Sequence, residues 1–130
     1  MTAATDTAGL ELISTAVLLL GHDHRILYAN PAAEHLLAQS KRQLESARLS
    51  DIIRDSERLA PALALALAHR ASYTEQELEL HLASKQNGAS RLLVNCTVSF
   101  LEGQFANDAQ LIVELRHIDQ QLKIAREAKI

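Results

Sequence analysis

The stretch Arg25-Ile26-Leu27-Tyr28-Ala29-Asn30-Pro31-Ala32-Ala33-Glu34-His35-Leu36-Leu37 decides how this chain is read. It is a strand that runs into a helix, with Asn30-Pro31 at the joint. An Asn side chain at the N-cap accepts from free helix amides, and Pro at the first helical position forfeits no hydrogen bond. Glu34 falls in the first turn, where the helix dipole favours a carboxylate, and Ala33, Leu36 and Leu37 form the apolar side. Upstream, Ala16-Val17-Leu18-Leu19-Leu20 is an uninterrupted apolar run closed by Gly21, the length of a buried strand. Gly21-His22-Asp23-His24 is polar and turn-prone, so the two strands should form a hairpin. Before them, Leu10 to Ser14 reads as a short helical turn with Leu10 and Ile13 on one face.

Downstream, Lys41 to Leu44 and Leu49 to Ile53 read as single-turn helices. The run from Leu59 to His69 alternates Ala and Leu, but both are apolar, so the alternation separates no inside from outside. Both are strong helix formers and no β-branched residue interrupts them. Leu59, Leu63 and Leu67 share one side at spacings of four, and a helix is expected there, with Pro61 in its first turn. Leu78, Leu80 and Leu82 alternate with Glu77, Glu79 and His81, as in a half-solvated strand. Asn87-Gly88 is a hairpin signal. Leu92, Val94, Cys96, Val98 and Phe100 share one face of the next strand; after a turn over Gly103 to Asp108, Leu111, Val113 and Leu115 form a last inward face. Past Asp119 the chain reads as helical, and Ile118, Leu122 and Ala125 fall at spacings of four and three, the start of a coiled-coil seam.

Composition narrows the function. A chain of 130 residues is of one-domain size, and 48% hydrophobic with 22% charged residues are ordinary globular values. A net charge of −3 gives no electrostatic footprint for nucleic acid. Aromatic residues are only 3%, which disfavours base-stacking platforms and aromatic cages. One cysteine makes no internal disulfide, and no apolar run is long enough to suggest a membrane span or a signal peptide, so a cytoplasmic location is expected.

The order hairpin, short helices, one longer helix, three antiparallel strands and an exit helix resembles a PAS domain. Ile26-Leu27-Tyr28-Ala29-Asn30-Pro31-Ala32-Ala33-Glu34 is similar to that family's strand-into-helix signature, I-x-Y-x-N-x-A-A-E; Ala38 and Ala47 stand where glycines are common. Within the family, the chain resembles the N-terminal sensory domain of NtrB-type nitrogen-regulation histidine kinases. Thr15-Ala16-Val17-Leu18-Leu19-Leu20, Glu77-Leu78-Glu79-Leu80, Val94-Asn95-Cys96-Thr97-Val98 and the exit from Val113 to Glu127 carry that likeness. The resemblance implies an α+β PAS fold: a five-stranded antiparallel sheet in the order 2-1-5-4-3, with short helices on one face. It implies a flanking helix over 1–14, the domain over 15–119, and over 120–130 the start of a signalling helix that leads to an absent kinase core. It also implies a cytoplasmic homodimer whose kinase core phosphorylates a response regulator for nitrogen assimilation, under a P-II signalling protein.

None of the six histidines opens a His-Glu-x-x-x-Pro box, and four glycines make no nucleotide loop, so no phosphotransfer is expected from this chain. His22-Asp23-His24 reads as a solvated turn rather than a metal site. His69, at the end of the long helix, reads as a cation meeting the dipole rather than a haem ligand. Asn95-Cys96 lies mid-strand and reads as a polar residue beside a buried thiol, not as a flavin-reactive pair. Glu75, Glu77 and Glu79 read as a solvated strand edge. No catalytic residue, metal or cofactor is therefore expected. If a small ligand is bound, the expected pocket walls are Leu63, Leu67, Val94, Cys96 and Leu115. The expected dimer patch is Leu10, Ile13, Ile118 and Leu122, with the signal leaving at Asp119. The rival readings are a PAS domain that binds a metabolite in another signalling protein, and a small α+β enzyme using a His with Asp23 or Asp119.

Overall fold

The computed structural model describes residues 15–83, 91–101 and 109–118. Strands β1 (Ala16–Leu20) and β2 (Ile26–Ala29) form the hairpin, joined by a 3-10 turn at His22–His24 in which Asp23 and His24 take positive φ. Helices α1 (Pro31–Leu37), α2 (Lys41–Leu44) and α3 (Leu49–Ile52) follow, then α4 (Ala60–His69) and strands β3 (Ser72–His81), β4 (Arg91–Phe100) and β5 (Leu111–His117). All pairings are antiparallel and the sheet order is β2-β1-β5-β4-β3, as the resemblance implied. The opening turn with Leu10 and Ile13, the Asn87-Gly88 and Gly103–Asp108 turns, Asp119 and Leu122 lie outside the described residues.

One face of the sheet carries the core. Leu18 pairs with Val113, and Val113 with Val98, so these side chains form one row; Ala16, Leu115 and Cys96 form the next. Leu37, Leu44, Leu49, Ile52, Leu59 and Leu63 from the helices close over these rows in one buried cluster. On the opposite face, Val17, Leu19 and Tyr28 make a second small buried cluster with Ala109, whereas β3 and β4 pair hydroxyls there. Ser72 Oγ donates to Ser99 Oγ at 2.8 Å, and Thr74 and Thr97 hydroxyls meet at 3.0 Å. Burial of β1 on both faces explains why its sequence is apolar without alternation.

Asn30 is the one polar residue fully buried among the described residues. Its Oδ1 accepts from Ala33 N at 3.0 Å, the expected cap, and also from Val17 N at 2.9 Å; its Nδ2 donates to Thr15 O at 2.9 Å. At the other end of α1, Ala38 takes the left-handed conformation (φ 56, ψ 41), and Gln39 N closes onto Glu34 O at 3.2 Å. The turn that a glycine makes freely is thus made by an alanine.

Three expectations are corrected. Leu67 is 41% exposed, because the buried side of α4 is Leu59, Ala62, Leu63 and Ala66, and a spacing of eight rotates Leu67 away from it. Ile118 is buried by its own chain, with its N–H donating to Leu93 O at 2.9 Å, rather than lying outside the sheet as a free apolar residue. Glu75, Glu77 and Glu79 do not form one alternating edge. The register slips between Glu75 and Leu78, where Glu77 takes φ 53 and donates its N–H to Asn95 Oδ1 at 2.9 Å. This bulge puts Glu75 in line with Cys96 on the inner side, and Glu79 on the other face.

Ala38→Gly should stabilise the domain. Left-handed backbone costs an alanine about 1–2 kcal/mol, part of which glycine returns through its freer unfolded chain, leaving a gain of about 0.5–1 kcal/mol. Urea unfolding of both proteins measures it, and a lower midpoint for the glycine variant would contradict the assigned turn.

Candidate functional site

The space between the inner sheet face and the helices is where a ligand or a conformational signal would enter. Leu63, Val94, Cys96 and Leu115 stand together in the buried cluster there, without Leu67. Every one of the four is apolar or a thiol, and none offers a charged or amide group that would orient a polar ligand. Cavities open at the margins instead, two of them against the helices. One, of about 170 Å³, lies between the His22–His24 turn, α3 and the start of α4; Asp23, His24, Ser50, Ser56 and Glu57 are on its walls, and Leu63 is among the lining residues. The other, of about 370 Å³, lies between α1 and the ends of β1 and β5, lined by His35, Arg116, His117, Leu36, Leu115 and Thr15 among others. The histidines of this second cavity come from three-strand-distant parts of the sequence, and no spacing could have paired them.

Cys96 is the buried nucleophile of the interior. Burial pushes its thiol up to about 12, with the carboxylates of Glu75 and Glu114 adding to the rise. Both carboxylates reach it through register: Glu75 directly opposite on β3, Glu114 one place along from Leu115 on β5. The thiol is therefore held protonated and acts as a small apolar filler.

A second connected polar group is one the sequence did not single out. Asp55, just before α4, accepts from His81 N at 2.7 Å and from His81 Nδ1 at 3.0 Å, with Arg58 Nε 3.3 Å away. Arg54 N donates to His81 O at 2.7 Å and Ala83 N to Ile52 O at 2.7 Å. This strap fastens the segment between α3 and α4 to the end of edge strand β3. Burial alone would raise the Asp55 carboxyl, but the hydrogen bonds from the His81 ring and backbone outweigh it and hold the group below its ordinary 3.8. A separation of 26 positions between Asp55 and His81 leaves no local pattern to read.

The remaining candidates sit apart. His69 Nδ1 is 2.7 Å from the Tyr73 hydroxyl, and Asn95 serves the bulge at Glu77. Among the described residues, no three His, Cys, Asp or Glu side chains are grouped to hold a metal, and no helix is long and apolar enough to cross a membrane.

A five-stranded antiparallel sheet in this order, with its helices on one face and an Asn-capped helix after the second strand, is the architecture of PAS domains. The chain belongs to the PAS fold family, whose model matches residues 10–104. It is 31% identical over 127 residues to the sensory histidine kinase/phosphatase NtrB of Vibrio alginolyticus, covering 98% of this chain and 34% of that protein. It is 27% identical to NtrB of Klebsiella oxytoca, covering 91% and 31% respectively. The chain thus spans about a third of the length of the curated relatives it matches. Among solved structures, the PAS domain of nitrogen regulation protein NR(II) from Vibrio parahaemolyticus superposes with a TM-score of 0.70 at 32% identity, over 87% of this chain and 97% of that one.

Two measurements follow from this geometry. At neutral pH a thiol near 12 carries about a thousandfold less thiolate than one at 9, so Cys96 should react with a thiol reagent only after unfolding. Rapid labelling of the native chain would overturn the strand register. For Asp55, a carboxyl lowered by folding contributes stability that is present above the unfolded value and lost as pH falls through the folded one. The urea midpoint of the parent should therefore drop more steeply below about pH 4 than that of Asp55→Asn, and parallel profiles would show the strap to be inert.

Proposed function

We propose that this chain is the sensory PAS module of a two-component nitrogen-regulation histidine kinase, biasing a kinase core that phosphorylates a transcriptional response regulator. The observation that carries the reading is coverage: nearly the whole chain aligns with one third of NtrB, a kinase/phosphatase, at 31% identity. The packed apolar interior supports a scaffold that transmits packing changes over one that performs acid–base chemistry. In this reading the module works in the cytoplasm as a homodimer, through Leu10, Ile13 and Leu122, and the signal leaves past Asp119. The response regulator and a P-II signalling protein meet the kinase through its other domains, and this module itself has no catalytic role.

Replacing the aligned third of the Vibrio alginolyticus NtrB by this chain tests the proposal. The chimera should stay dimeric and keep the parent's balance of kinase and phosphatase activity, whereas deleting the segment should shift that balance. A chimera that behaves like the deletion, or a deletion indistinguishable from the parent, would sink the reading.

A further inference from the structure

The outer face of the sheet holds a polar groove that the kinase reading does not use. It has a volume of about 160 Å³ and lies over β3, β4 and β5, reaching Thr15 just ahead of β1. Register explains its composition. Thr74 stands opposite Thr97 and Thr97 opposite Glu114, one row across three strands; Asn95 opposite Arg116 makes the next. Residues two apart on a strand point to the same side, so both rows face away from the core that holds Cys96 and Leu115. No apolar residue lines the groove. Hydroxyls and amides surround one carboxylate and one guanidinium.

Those two charges select the ligand. Glu114 and Arg116 share the groove, yet no ion pair joins them to each other or to another described residue, whereas Asp55 pairs with His81 and Arg58, and Glu79 with Arg91. They offer an acceptor and a donor fork to the same space. Asn95 Oδ1 is committed to Glu77 N, which leaves the Asn95 amide N–H groups to donate. A cavity of about 150 Å³ holds a six-carbon ring, so this groove takes a ligand of about six non-hydrogen atoms. Side chains two residues apart on a strand stand about 7 Å apart, and two charge-assisted hydrogen bonds of about 2.8 Å use most of that span. A cation and an anion on one carbon fit between them, and a long spacer does not. We infer that this groove binds a small free α-amino acid, its carboxylate on the Arg116 guanidinium and its ammonium on the Glu114 carboxylate. The inference goes beyond the kinase reading and stands without it, since it uses only the described strands.

The test is an NMR titration of the 130-residue chain with L-alanine, read at the backbone amides of Asn95, Thr97, Glu114 and Arg116. Propionate and ethylamine, each carrying one of alanine's two charges, are the controls. L-Alanine should shift these amides saturably in the millimolar range, while each control should need about tenfold more, because it forfeits one charged hydrogen bond. Arg116→Gln and, separately, Glu114→Gln should each weaken alanine binding by about tenfold with the remaining spectrum unchanged, which also shows that the variants are folded. No saturable shift with L-alanine overturns the inference. So does propionate binding as well as L-alanine, which would make the site a simple anion contact at Arg116. Amide shifts that appear on concentrating the chain without ligand overturn it too, and identify a second copy as the occupant of the groove.

Discussion

The side chain of Asn30 is the interaction on which the rest of this domain depends. A buried amide must satisfy its donors and acceptor, and here it does so by tying two elements together: the first turn of α1 through Ala33 N, and the start of β1 through Val17 N and Thr15 O. The backbone joins in, with Asn30 N donating to Val17 O at 3.1 Å. The crossing from sheet to helices is fixed at that point. With α1 anchored, Glu34 Oε1 can accept from Lys41 N at 2.6 Å and Glu45 Oε2 from Ala29 N at 3.1 Å, which stacks α2 against β2. Lys41 then lies over the Tyr28 ring, 4.9 Å from its centroid.

The far side of the sheet is held by a different device. β3 is an edge strand, and an edge strand is an invitation to pair. Its bulge at Glu77 bends the edge, and the Asp55–His81 strap occupies its end, so part of its polar backbone is engaged by the α3–α4 segment. The same bulge brings Glu75 into line with Cys96, and that carboxylate reinforces the thiol's reluctance to ionise. Edge protection and the inertness of the core thus share one structural irregularity.

Much of this was legible in sequence because it depends on local chemistry. Asn30-Pro31 announces a capped helix, a five-residue apolar run announces a strand buried on both faces, and Ala62 to Ala68 lacks the β-branched residues a strand would favour. The bulge had a signal that alternation alone concealed: Tyr73 and Leu78 are both partly buried against the core yet lie an odd number of residues apart, which no unbroken strand allows. Leu67 was misplaced because spacings of four drift around a helix, and over eight residues the drift carries a side chain off the buried arc. The strap and the cavities against the helices were not legible. They join residues far apart in the chain, and only the folded path brings them into reach.

The burial of Ile118 changes where a mechanical output would begin. β1 and β5 are central strands, each paired on both sides, and they pair with one another from Ala16 opposite Leu115 to Leu20 opposite Leu111. Ile118 extends that hold beyond β5 through its bond to Leu93. A segment leaving such a pair cannot slide alone: shifting β5 by one residue would move Leu111, Val113 and Leu115 from the core face to the opposite one. The path from the interior to the exit is therefore stiff up to Ile118. Leu63 under α4 and Leu115 on β5 belong to one buried cluster, so the helix and the strand pair are packed as a single body. On the function proposed above, stiffness of this kind is what a transmitting module needs, since a compliant sheet would absorb a displacement before it reached Ile118.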